Sequence, residues 1–230
     1  MQAYGYIGEN LLRIKEACAA RASSLGLPTP MLLAVTKSAS PEEVAALVRT
    51  YGQGAIAENR TSLFSERYEM FGEDERPEIH LIGSLQTNKV KTVVGRVTLI
   101  HSLDSLRLAA EIEKQSEKRG TVTDVLIEIN SGREPAKGGI LPEDAQRFAD
   151  ALTSFSHLRV RGLMTMAPIC ESEEAYRPYF RLTANIHRTL DEQGYYSGTP
   201  ILSMGMSNSY LPAIEEGATL IRVGRALFAR

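Results

Sequence analysis

The chain has 230 residues, of which 43% are hydrophobic and 23% charged. This is the composition of an ordinary globular protein, which excludes disordered and fibrous classes. With 26 Lys and Arg against 28 Asp and Glu, it has no positive field to gather a phosphate backbone, so nucleic acid is not an expected partner. At the start, Met1–Arg13 lacks the basic opening and apolar stretch of a signal peptide. The longest apolar runs, such as Met31–Val35 and Val125–Ile129, fall far short of the ~20 residues of a membrane helix. No membrane partner and a cytoplasmic location are expected.

Ile7 to Leu25 carries Leu11, Leu12, Ile14, Ala17, Cys18 and Ala22 at helical spacing and stops near Gly26 and Pro28, as an opening helix would. Short β-rich runs then alternate with amphipathic stretches to the C-terminus. Strands are expected at Met31–Thr36, Ala55–Ala57, Ile79–Ile82, Thr98–His101, Val122–Ile129, Arg159–Met164, Pro200–Ser203 and Thr219–Val223. Helical patterns fall between them at Pro41–Thr50, Asn59–Met70, Thr87–Val94, Ser105–Lys118, Pro142–Thr153 and Glu171–Glu192, with a last one at Ser209–Glu216. Ser40 before Pro41, and Asp104 before Ser105, place side-chain acceptors where the first N–H groups of a helix need them.

About eight βα repeats with right-handed crossovers close into a barrel, whereas open doubly wound sheets usually stop sooner. The expected fold is α/β, a single parallel (β/α)8 TIM barrel with an extra N-terminal helix. Residues 1–230 form one domain on this reading, since no linker or composition shift divides them. Cys18 and Cys170 form no C-x-x-C pair, and His80, His101, His157 and His187 show no H-x-x-x-H spacing, which disfavours disulfide and metal chemistry.

In such a barrel the chemistry gathers at the C-terminal ends of the strands. Lys37 follows the first strand, where desolvation would lower the pKa of its amine and make it a Schiff-base nucleophile. Taken alone, that strand equally suits a rim lysine reaching out to water. The seventh strand runs into Ser203-Met204-Gly205-Met206-Ser207-Asn208 and the eighth into Arg222-Val223-Gly224-Arg225. Loops at these two places are frequent phosphate sites in barrels. Because strands one and eight pair in a closed barrel, a phosphorylated carbonyl ligand would bridge the lysine and the cradle.

Several segments carry a more specific resemblance. Leu33-Ala34-Val35-Thr36-Lys37, Glu58-Asn59, His80-Leu81-Ile82-Gly83 with Leu85-Gln86-Thr87-Asn88-Lys89, Arg161-Gly162-Leu163-Met164 and Ser203–Ser207 resemble the pyridoxal phosphate homeostasis family. That family is similar to the N-terminal barrel of the fold-type III enzymes, including alanine racemase. The resemblance implies that pyridoxal 5′-phosphate (PLP) is the cofactor, held as an aldimine on Lys37. It also implies a role in intracellular PLP homeostasis and in amino-acid and keto-acid balance.

The same resemblance gives Ser207 and the backbone around Met206, Gly224 and Arg225 to the phosphate, and Arg222 to the pyridine nitrogen. An arginine cannot accept a proton there, so the ring would stay unprotonated and act as a weaker electron sink. Asn59 would meet the ring hydroxyl, although helix N-capping accounts for it equally well. His80 reads as a hydrogen-bonded core residue. Lys137, in the glycine-rich segment Ser131–Gly139, either approaches the cofactor or is a solvated loop lysine. Three positions depart from the family pattern: Ser209 stands where Asp is usual, Arg225 where a small hydroxyl residue is usual, and Ala229 where a glycine is common.

The expected partners are therefore PLP, amino acids and apo PLP enzymes, with the chain a monomer or weak dimer. Two rival readings remain from sequence. A small PLP-dependent amino-acid racemase would need a second acid or base opposite the lysine, which the racemases draw from an additional domain. A Schiff-base aldolase-type barrel would use Lys37 without any cofactor.

Overall fold

The computed structural model describes residues 4–230. Eight parallel strands close into a ring in chain order: β1 (Met31–Val35), β2 (Ala55–Glu58), β3 (Glu78–Leu81), β4 (Leu99–Leu103), β5 (Thr123–Ile129), β6 (Leu158–Thr165), β7 (Ile201–Ser203) and β8 (Leu220–Val223). The ring is sealed where β8 pairs with β1, with Leu33 opposite Arg222 and Ala34 opposite Val223. The helices are α1 (Gly5–Ser24), α2 (Pro41–Ala45), α3 (Thr61–Glu69), α4 (Val90–Val93), α5 (Leu106–Arg119), α6 (Ala145–Leu152), α7 (Arg177–Glu192) and α8 (Tyr210–Glu215). The expected TIM barrel with its extra N-terminal helix is the observed fold.

Side-chain alternation along the strands sorts the core into two shells. Leu33, Val35, Ala55, Ala57 and Leu220 cluster inside the barrel, as do Leu99, Leu126 and Met164. Leu32, Ala34, Ile56, Ile79, Leu81 and Ile100 point outward and join Val44, Phe64, Leu108, Ile112, Phe148, Phe180 and Ile214 of the helical layer. Helix α1 buries Ile7, Leu11, Ile14, Cys18 and Ala22, one stripe at helical spacing, and packs on α8. Its Asn10 ties down the end of the chain, donating to the carbonyls of Leu227 and Ala229.

Several boundaries differ from the sequence reading, each for a local reason. Ser40 caps α2 as expected, and Glu43 completes a reciprocal capping box with it. At α5 the cap is Ser105, which accepts from the Leu108 N–H at 3.3 Å, and not Asp104. Ser105 takes the cap because its extended torsions (φ -157, ψ 148) make it the residue immediately before the first helical one, Leu106. The last turns of the second helical pattern, Ala46–Thr50, widen into a π-helical turn. The pattern expected from Glu171 becomes α-helical only at Arg177, with a 3-10 turn before it and Pro178 in its first turn.

Gly162 adopts φ +143, and a Cβ there would lie 1.9 Å from the Ile201 carbonyl oxygen, so only glycine lets β6 and β7 meet. The β5–β6 register slips by one residue beside it, a bulge that carries Met164 to the barrel interior.

A buried ion pair fixes the turn that follows β1. Glu58, fully buried at the end of β2, faces Arg67 of α3, which is 2% exposed, with Nε 3.3 Å from Oε1. The Thr36 hydroxyl donates to the same Oε1 at 2.6 Å, and Arg67 Nη2 donates to the Ala39 carbonyl at 2.9 Å. Residues on both sides of Lys37 are thereby tied to one ion pair. Burial raises the Glu58 carboxyl pKa, against the pull of Thr36 and Arg67, and its Oε2 is left without a partner. Removing one member of such a pair strands the other in a dry site. Arg67→Met should cost about 3–5 kcal/mol of unfolding free energy in urea titrations. Adding Glu58→Gln should return part of that loss, and a double variant as unstable as the sum of its parts would contradict the account.

Candidate functional site

The C-terminal rim of the barrel brings the sequence-predicted residues to adjoining strands. Lys37 lies two residues past the end of β1 and continues the inward parity of Leu33 and Val35. A Cβ on Gly224 would stand 2.9 Å from the Val35 carbonyl oxygen, which shows how tightly the end of β8 lies against β1 there. The glycine is thus required by strand closure itself. The desolvation expected for Lys37 is not supplied by the protein, because the residue is exposed at the rim. It sits in a turn beyond the strand, where none of the described residues buries it.

The loops after β7 and β8 are joined by one contact, in which the Ala226 N–H donates to Ser207 Oγ at 3.3 Å. Gly205, at φ +89, allows the chain to turn sharply out of β7, where a Cβ would meet Ala213 and Tyr210. Ser209 Oγ accepts from the Met206 N–H at 3.1 Å, and the Ser209 N–H returns to the Met206 carbonyl at 2.8 Å. Ser209 therefore closes this turn, a task that a short side-chain acceptor can perform whether serine or aspartate. Met206 has its own N–H engaged and its side chain exposed. Among the described residues, the N–H groups of Ser207 and Arg225 have no backbone acceptor. These N–H groups and Ser207 Oγ are donors left available on two loops joined by a hydrogen bond, the kind of donor set that a nest presents to an anion. The six-residue α8 that follows is too short to add much dipole.

Arg222 lies deeper, on the inner face of β8, and is 3% exposed. Its Nη1 donates to Ser203 Oγ at 2.7 Å and its Nη2 to the Thr165 carbonyl at 2.9 Å. A guanidinium has five N–H bonds, so three are left for other acceptors. Burial lowers its pKa to about 10, with the nearby Glu128 acting in the opposite direction, so it remains a cation at neutral pH. Behind Ser203 lie two buried imidazoles, with His101 Nδ1 at 3.1 Å from Ser203 Oγ and His101 Nε2 at 2.9 Å from His80 Nδ1. His80 is the hydrogen-bonded core residue expected.

Asn59 extends the inward parity of Ala55 and Ala57 on β2. The residue that caps α3 is Arg60, without a side-chain cap bond, and Asn59 Oδ1 is buried with no partner. The capping role is therefore not the one it plays, and its buried Oδ1 keeps an unused acceptor capacity. Lys137 is exposed and ion-paired with Glu134 within its own loop. Asn130 organises that loop, its Nδ2 donating to the Glu134 and Lys137 carbonyls.

Three residues of this mouth escape the sequence reading. Glu128 on β5 is 6% exposed and feels both Asp104 and Arg222. Gly138 lies over that acidic pair, since a Cβ on it would stand 3.1 Å from Asp104 Oδ2 and 3.8 Å from Glu128 Oε2. His101 and Thr165 are the others, both fully buried. Strand parity was the available signal: with Val125, Ile127 and Ile129 facing the helices, Leu126 and Glu128 must face inward. Among the described residues, no group of three or more His, Cys, Asp or Glu is placed to hold a metal ion, and no helix is long and apolar enough to cross a membrane.

With this geometry in hand, comparison with known proteins is informative. Residues 10–229 match the family described as alanine racemase, N-terminal domain. The chain is 41% identical over 228 residues to a pyridoxal phosphate homeostasis protein of Aquifex aeolicus, covering 99% of this chain and 98% of that one. A crystal structure of an unknown protein from Bifidobacterium adolescentis superposes with a TM-score of 0.88 at 30% identity, covering 98% of this chain and 95% of that one. PipY of Synechococcus elongatus, solved with PLP bound, gives a TM-score of 0.79 at 28% identity, covering 92% and 100% respectively. The chain belongs to the alanine racemase N-terminal domain family and, within it, to the pyridoxal phosphate homeostasis proteins.

Proposed function

We propose that this chain is a PLP-binding homeostasis protein, in which Lys37 carries the cofactor and residues 1–230 act as one domain. When bound, PLP supplies an aldehyde for a lysine amine, a dianionic phosphate and an electron-accepting pyridine ring. The residues present fit these three parts. Lys37 offers the amine at the rim, while Ser207 Oγ and the N–H groups of Ser207 and Arg225 offer donors to the phosphate. Met206 and Gly224 shape the two loops that carry them. Arg222 has N–H bonds to spare for the ring nitrogen, and the unpartnered Asn59 amide suits the ring hydroxyl.

The observation that carries the reading is the pairing of Leu33 with Arg222 across the β1–β8 seam. It sets the amine, the buried guanidinium and the donor nest on adjacent strands. A rim lysine open to water suits a protein that holds PLP and gives it up, which would buffer the cofactor and influence amino-acid and keto-acid balance. Amino acids and apo PLP enzymes are the proposed takers, with the chain acting as a monomer or weak dimer.

A second reading, slow amino-acid turnover, draws support from one group. Glu128 sits on β5, the strand diametrically opposite β1 in the ring. Burial, helped by Asp104 and opposed by Arg222, raises its carboxyl to about 7, so it holds or loses a proton near neutrality as an acid or base would.

Four measurements test these readings. Purified protein with PLP should absorb near about 420 nm, as lysine Schiff bases of PLP do; borohydride should fix the cofactor on Lys37, Lys37→Ala should abolish both signals, and loaded protein should reactivate an apo-enzyme. Covalent labelling of Lys37→Ala at the wild-type level would end the proposal. Arg225→Ala should weaken PLP about two- to fivefold through loss of a screened rim charge, while leaving phosphate-free pyridoxal unaffected. Equal binding of PLP to both proteins would limit Arg225 to its backbone N–H.

The third concerns Glu128 in the ligand-free chain. A carboxyl whose folded pKa exceeds its unfolded value costs stability as pH rises between the two, here from about 4.5 to about 7. Wild type should therefore lose roughly 3 kcal/mol relative to Glu128→Gln across that window. A pH-independent difference would remove the support for the second reading. Deuterium exchange at Cα of amino acids separates the two functions directly: sustained exchange requiring both Lys37 and Glu128 indicates turnover, and its absence leaves the carrier.

A further inference from the structure

The polar core beneath Arg222 has a direction that follows from valence alone. Arginine only donates, so Ser203 Oγ accepts from Arg222 Nη1. Ser203 is fully buried, and among the described residues its hydroxyl meets only Arg222 and His101. The Ser203 proton must then go to His101 Nδ1, since the alternative is a buried hydroxyl with no acceptor. With Nδ1 accepting, neutral His101 carries its proton on Nε2 and donates to His80 Nδ1 at 2.9 Å. His80 in turn carries its proton on Nε2, which lies 3.5 Å from Glu78 Oε2. That separation falls short of a well-aligned hydrogen bond, and the Glu78 side chain is 56% exposed and free to close it. Burial, His80 and Arg222 all keep His101 from becoming a cation, which preserves its Nδ1 lone pair.

We propose that Ser203, His101 and His80 form a one-directional hydrogen-bond chain from Arg222 to Glu78 at the N-terminal end of β3, and that they are positioning residues for Arg222. Every proton along the chain points away from the mouth. Ser203 is thereby locked as an acceptor for Arg222, and the guanidinium is held between Ser203 and the Thr165 carbonyl with its remaining N–H bonds toward the mouth. The consequence for the ligand rests on the reading that Arg222 faces the pyridine nitrogen: a guanidinium fixed in place meets that nitrogen as a donor at all times. The chain itself does not depend on that reading, being a property of the protein's own side chains.

The test begins with imidazole 15N shifts of the ligand-free, 15N-labelled protein at neutral pH, which distinguish a protonated from a bare ring nitrogen. His101 and His80 should each show a bare Nδ1 and a protonated Nε2. Ser203→Ala should release His101 from its single tautomer and weaken PLP about tenfold, the size expected for one hydrogen bond to a charged group. Ser203→Thr, which keeps the hydroxyl, should restore both. A proton on His101 Nδ1 in the wild-type chain overturns the proposal, as does Ser203→Ala with unchanged tautomers and unchanged affinity. Should wild type show the stated tautomers but bind no PLP, the chain stands and the proposed function falls. The wild-type shifts need no variant to fold.

Discussion

The hydrogen-bonded seam between β1 and β8 is the constraint on which the mouth depends. Parallel strands adjacent in a ring deliver their ends to the same rim, and a glycine at position 224 lets these two lie against each other. A larger residue at Gly224 would push against the Val35 backbone and open the seam. Lys37, Arg222 and the loop donors at Ser207 and Arg225 would then part together, because among the described residues no direct side-chain bond holds Lys37 or Arg222 to the others. The Glu58–Arg67 pair makes the arrangement stiffer by gripping Thr36 and Ala39 from behind. A turn that would otherwise be a loose loop is fastened on both sides of Lys37.

Polar groups inside a barrel are costly, and their pattern shows how the cost is met. Leu33, Leu99, Leu126, Met164 and Leu220 fill much of the interior with apolar surface. The polar interior groups follow a connected path, Arg222 to Ser203 to His101 to His80, so most are desolvated with a partner in hand. Glu128 takes the other route and meets burial by holding its proton to higher pH. An ionised carboxylate at that depth and a fixed cation beside it would attract each other, which is why Arg222 tempers the shift without cancelling it.

Much of this was legible before any coordinates. Eight apolar runs separated by helical patterns specify a barrel because each parallel crossover needs a helix, and Met31–Val35 or Val125–Ile129 can be nothing else in that frame. The motifs ending the first, seventh and eighth strands were legible for the same reason, since parallel topology sends them all to one rim. What escaped were relations between distant residues. His101 and Ser203 are 102 positions apart and meet only through the ring's interior. Asp104 appeared to be a helix cap because the exact residue at a boundary depends on backbone torsions, and those place Ser105 there instead. The exposure of Lys37 also depends on what covers it, which local pattern does not encode.

That exposure has a consequence for how cargo would leave. A bond between a lysine and an aldehyde is undone by water, and an enzyme that must finish a reaction usually seals its lysine from solvent with a closing flap. Lys37 stands exposed at the rim among the described residues. Water would reach a bond formed on Lys37 without a prior conformational opening. Unloading would be governed by the chemistry of the bond and by competing amines arriving from solution, so the rate of handover would be set by the recipient's concentration and not by a gate in the donor.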